Sequence, residues 1–135
     1  MSKKLINPEE LYDGAAFGMS QATVETQLGL VFVSGQVAWN HQYETTENSI
    51  EGQARKALDN LKIALIAAGS SVGRLMQVRV YIRGELGEHM ETLAPILSGF
   101  LGESRPAVTG IGVASLASPS TLVEVEAVAT VRKGE

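Results

Sequence analysis

Apolar residues in this chain recur with two periods. Ile50, Ala54, Ala57, Leu58, Leu61, Leu65 and Ala68 follow one another mostly at steps of three and four, which lays them along one stripe of an α-helix. The stripe predicts a helix that begins near Glu47 and runs through IEGQARKALDNLKIALIAAG. Glu51 with Arg55, and Arg55 with Asp59, stand one turn apart on the opposite face and can pair there. Thr45 or Thr46 offers a cap at the start, and Gly69 a stop at the end. A second helix is expected within residues 87–101, with His89, Met90, Leu93, Leu97, Phe100 and Leu101 as its periodic positions. Pro95 inside that pattern predicts either a start shortly before it or a kink.

Elsewhere the period is two, the mark of a strand with one buried face. GLVFVSGQV (residues 29–37) reads as a strand, with SQATVETQ before it as an antiparallel partner. LMQVRVYIR (75–83) sets Met76, Val78, Val80 and Ile82 against Gln77, Arg79, Tyr81 and Arg83. TLVEVEAVATV (121–131) puts Val123, Val125, Ala127, Ala129 and Val131 beneath the helices, and Leu122, Glu124, Glu126, Val128 and Thr130 on the far face. This order predicts an α+β fold, a mixed sheet with both helices packed on one side. The far face would carry Leu30, Phe32, Leu122 and Val128, apolar enough to favour covering by another copy of the chain.

Composition narrows the function classes. The 135 residues suit a single domain spanning 1–135, with 44% apolar and 19% charged positions. No apolar run approaches the roughly 18 residues of a membrane span, and MSKKLINPEEL lacks the apolar core of a secretory signal. A cytoplasmic setting is expected. The net charge of −4 and scattered basic residues argue against a nucleic-acid partner. There is no cysteine, so thiolate catalysis and zinc–thiolate sites are excluded. With only His41 and His89 at unmatched spacing, neither a metal site nor a Ser34–His pair is expected.

Three segments remain as candidates for chemistry. In RPAVTGIGV, Gly110 and Gly112 lead towards a strand, without the third glycine and helix of a dinucleotide-binding loop. If the segment is extended, Val108, Gly110, Gly112 and Ala114 share a nearly bare face. That face either admits a neighbouring backbone or forms the floor of a groove. Glu124 and Glu126 lie about 7 Å apart on one strand face, as a solvated face, as structural partners of Arg79 or Arg83, or as a carboxylate that positions a water or shuttles a proton. Ser34-Gly35-Gln36 ends an apolar strand, and Trp39 and Tyr43 suit loop packing and ligand contact equally.

Taken together and in order, MSQA (19–22), VFVSGQV, QARKALDNLKIALIAAG, VYI, RPAVTGIGVASL and LVEVEAVATV resemble the RidA/YjgF family, the reactive-intermediate deaminases. The resemblance covers nearly the whole chain. It implies a chorismate-mutase-like α+β fold, a homotrimer with ligand clefts between subunits, and hydrolysis of 2-imino or enamine acids to 2-keto acids and ammonia, without metal or organic cofactor. It further implies a bound water attacking the imine carbon beside a glutamate, while an arginine grips the substrate carboxylate. By this correspondence the glutamate is Glu126, and Ser34 and Gly35 belong to the substrate site together with Met19, Val108, Thr109 and Gly110. Met19 stands where the family has tyrosine, Val108 where it has the arginine and Gly110 where it commonly has cysteine.

Valine cannot hold a carboxylate as arginine does, which argues against standard 2-imino acid deamination. Arg79 and Arg105 are the candidates for a substitute cation. The resemblance therefore implies a deaminase or hydrolase acting on a reactive imine, enamine or related small metabolite. The competing reading is a metabolite-binding or regulatory protein using the same cleft. An endoribonuclease or translation inhibitor, a label attached to parts of the family, fits the acidic chain least well.

Overall fold

The computed structural model describes residues 2–131. Six strands form one sheet: β1 (Lys3–Ile6), β2 (Ala22–Glu25), β3 (Leu30–Gln36), β4 (Leu75–Arg83), β5 (Ala107–Val113) and β6 (Val123–Thr130), in spatial order β1-β2-β3-β6-β4-β5. Helix α1 (Ile50–Ala67) joins β3 to β4, and α2 (Met90–Leu101) joins β4 to β5. All pairings are antiparallel except β4 with β5. The sheet is mixed and α+β, as the alternation predicts.

The core lies between the sheet and the helices. Val31, Val33, Val78, Val80, Ile82 and the odd-numbered residues 123–129 are buried against Ala54, Ala57, Leu58, Leu61, Ala64 and Leu65 of α1, with Leu93 and Ile96 of α2. Two polar residues sit on the buried stripe of α1, and both are satisfied. Asn60 Nδ2 donates to the Val37 carbonyl at 2.9 Å. Gln53 Nε2 donates to the carbonyls of Glu47 and Ser120, and its Oε1 accepts from the Leu122 N–H. These bonds tie the start of α1 to the segment entering β6.

Local details depart from the sequence reading. The cap of α1 is Ser49, whose Oγ accepts from the Gly52 N–H at 3.0 Å. Thr45 instead bridges Trp39, and the Thr46 N–H donates to the Ala38 carbonyl. Gly69, at φ +82°, ends the helix as expected. Helix α2 starts at Met90, after a short 3₁₀ turn, and continues past the exposed Pro95. Met76 is not in the buried row. The register slips between Leu75 and Gln77, a bulge that leaves Met76 57% exposed. Strand β1, with two lysines in four residues, shows no apolar alternation and went unpredicted. Leu122 is half-buried against the core margin, whereas Phe32 is 47% exposed on the far face.

The bare face of β5 has a structural cause. Its in-register pairing sets Val108, Gly110 and Gly112 beside Val78, Val80 and Ile82, on the helix side of the sheet. A Cβ on Gly112 would lie 2.5 Å from the Gly84 carbonyl oxygen, and one on Gly110 would lie 2.9 Å from Leu86 Cδ2. The glycines let the β4–α2 connection cross close to the strand.

Candidate functional site

The site is organised by an irregularity in β3. Val33 pairs with Ala127, but Gln36 pairs with Val125, so Ser34 and Gly35 together stand opposite Glu126. This bulge resets the alternation and turns Gln36 into the interior, where it is fully buried. Gln36 Nε2 donates to Gln21 Oε1 at 2.9 Å and to the Ser34 carbonyl at 3.1 Å. Gln21 Nε2 in turn donates to the Tyr12 carbonyl at 2.7 Å. Ser34 Oγ donates to the Ser20 carbonyl at 2.6 Å. The bulge is thus clamped to residues 12–21, which carry Tyr12, Phe17 and Met19.

Between them lies a hollow of about 470 Å³, within the usual range of small-molecule sites. Ser34, Gly35 and Glu124 line it from the sheet, Tyr12, Phe17 and Met19 from the segment before β2, and Trp39 and Ala117 from later loops. The rings form a cluster: Tyr12 and Trp39 have centroids 5.2 Å apart, and Tyr43 stands edge-on to both and to Phe17 at 5.6–6.1 Å. Tyr43 adopts φ +61°, uncommon for a residue with a side chain, and its hydroxyl donates to the Asp13 carbonyl at 3.1 Å. Tyr12 Oη contacts Met19 Sδ at 3.8 Å.

The carboxylate in this hollow is Glu124. It lies across Gly35 so closely that a Cβ there would collide with it. Burial, and secondarily the charge of Glu126, raises its pKa above the ordinary carboxylate value. Glu126, two residues on, is engaged elsewhere. It accepts a hydrogen bond from Tyr81 Oη and faces Arg79 Nη1 at 4.0 Å. That hydrogen bond, with lesser help from burial, raises the pKa of Tyr81.

A family model described as Endoribonuclease L-PSP matches residues 14–131. A RutC family protein of Pyrococcus horikoshii is 30% identical over 100 residues, covering 73% of this chain and 77% of its own. A protein of Escherichia coli named "Putative reactive intermediate deaminase TdcF" is 32% identical over 103 residues, covering 74% and 78%. Among solved structures, YyfA from Yersinia pestis, titled a protein of unknown function of the conserved Rid family, aligns with a TM-score of 0.85. It is 26% identical and covers 96% of this chain and 99% of that one. The chain belongs to the RidA/YjgF family.

Of the site residues expected from RidA/YjgF membership, the structure brings Met19, Ser34 and Gly35 together in the hollow. Glu126 is bonded to Tyr81, faces Arg79 and, together with Arg79, lines a separate hollow of about 250 Å³ beside Phe32 and Val33. Val108 and Gly110 lie on the opposite face of the sheet from Glu124, and Thr109 pairs beside Arg79, two strands from β6. Neither candidate cation lines the hollow of Glu124. Arg79 faces Glu126, and Arg105 precedes β5 at the far end of β4, about 20 Å from the level of Glu124 by strand rise. Tyr12 and Phe17 belong to the site but have no sequence signal beyond being aromatic. Glu124 had the same signal as Glu126.

Proposed function

We infer that this chain is a deaminase-type hydrolase acting on an imine or enamine-like group of a small metabolite, with Glu124 as its general base. Water adds to the C=N carbon while Glu124 takes its proton. With the imine bound in its protonated form, Glu124 returns that proton to the carbinolamine nitrogen and then takes the hydroxyl proton as the C–N bond breaks, giving the carbonyl compound and ammonia. The observation that carries this reading is the half-buried Glu124 carboxylate laid across Gly35 inside the hollow. Its raised pKa suits proton transfer, and the name of the TdcF relative points the same way. The exposed Phe32, paired with Val128 on the uncovered sheet face, supports covering of that face by another copy of the chain, as in the expected homotrimer.

The test is ammonia release above background from imines made in situ by an amino-acid oxidase, which supplies 2-imino acids, and by an amine oxidase, which supplies imines without a carboxylate. Glu124→Gln should lose about 10²- to 10⁴-fold in rate, while Glu126→Gln stays within several-fold of wild type. A wild-type protein silent on both classes would sink the enzyme reading. It would leave the alternative favoured by Val108 where the resemblance implies an arginine, a binding protein using the same hollow.

A further inference from the structure

The charges around the hollow are one-sided. Among the described residues that line it there is one carboxylate and no Lys, Arg or His. The two arginines nearest in register on that sheet face are turned to other partners, Arg79 to Glu126 and Arg83 to the Pro119 carbonyl. Three of the other lining side chains are aromatic, Tyr12, Phe17 and the chain's one tryptophan, Trp39, and they stand beside the thioether of Met19, with Ser34, Gly35 and Ala117 completing the wall. A carboxylate ligand entering here meets Glu124 with no compensating cation from this chain's lining residues. An organic cation meets a carboxylate and the negative faces of aromatic rings, the arrangement that holds ammonium groups in proteins. The net charge of −4 adds a favourable field for cations.

We propose that the hollow selects a small organic cation, an iminium or ammonium carried on an apolar or aromatic body, and discriminates against carboxylates. This rests on the same hollow as the reaction above and defines its substrate class. The preferred imine is one derived from an amine, not from an amino acid, and it is bound in its protonated form between Glu124 and the rings.

The experiment needs no turnover. Benzyltrimethylammonium, benzylamine, benzyl alcohol and phenylacetate share one ring and differ in charge, and each is titrated into the intact protein. Trp39 fluorescence and calorimetry report binding. The two cations should bind at least about tenfold more tightly than phenylacetate, with the alcohol between. Glu124→Gln should remove most of that preference. Phe17→Ala, at a side chain 60% exposed and therefore safe for folding, should weaken cation binding several-fold. Phenylacetate binding as tightly as the cations overturns the proposal, as does the absence of binding by all four. Cation binding by a protein silent on both imine classes would retain this inference and reject the hydrolase. Turnover of 2-imino acids together with preferred phenylacetate binding would do the reverse.

Discussion

Glu124 and Glu126 are separated by a single residue but differ in their surroundings. Both point to the same side of β6, and spacing alone gives them equal standing as a base. What distinguishes them is the neighbouring strand: the bulge at Ser34 and Gly35 opens room for Glu124, whereas Arg79 and Tyr81 occupy Glu126. A test follows from their coupling. Burial chiefly, then Glu126, holds the Glu124 pKa up, and Tyr12 and Tyr81 are the other titratable groups that interact with it. A base acts when ionised, so a rate that depends on Glu124 rises with pH through that raised pKa. Glu126→Gln removes a negative neighbour and should move the acid limb of kcat/KM to lower pH. A limb that stays in place, or moves up, would show that the two carboxylates are not coupled as described. The serine, glycine and glutamine of the bulge were visible in the sequence as a unit. Their consequence, the choice of one glutamate over the other, was not, because it depends on a register slip between strands about 90 residues apart.

At the level of elements, periodicity served best where one face is buried and the ladder is regular. The bounds of β4, the stripe of α1 and the inward row of β6 were all legible for that reason. It failed where a strand departs from strict alternation, as at Met76, or where two lysines hide a short edge strand, as at β1. The glycines of β5 are a third case: the sequence shows missing side chains, and only the fold shows what fills the space. Gly112→Ala should destabilise the protein by about 1–3 kcal/mol, because backbone at Gly84 and Leu86 would have to move. Gly110→Ala should cost less, since its neighbour is the flexible end of Leu86. Urea denaturation of the two variants checks the order, and an equal or reversed cost would remove the close-approach explanation.

The whole molecule decides what Val108 means, at a position where the family resemblance implies an arginine. Val108 is 45% exposed on the helix side of an edge strand, while Glu124 faces the other way. In a chain acting alone, Val108→Arg should therefore leave ammonia release from 2-imino acids unchanged. A clear gain, in a protein whose sedimentation gives three chains, would mean that the edge of one subunit reaches the hollow of another. A gain in a monomer would contradict the placement of Val108. The sheet order has a consequence at this scale too. β6 follows every other strand in sequence yet lies between β3 and β4, joined to both. The three antiparallel strands on one side and the parallel pair on the other have no ladder in common until it arrives. Synthesis from the ribosome thus delivers the central strand last, and the long-range pairings that close the sheet can form only then. A message cut short before residue 123 would yield two half-sheets with open edges, a product for proteases and not a shorter version of the protein.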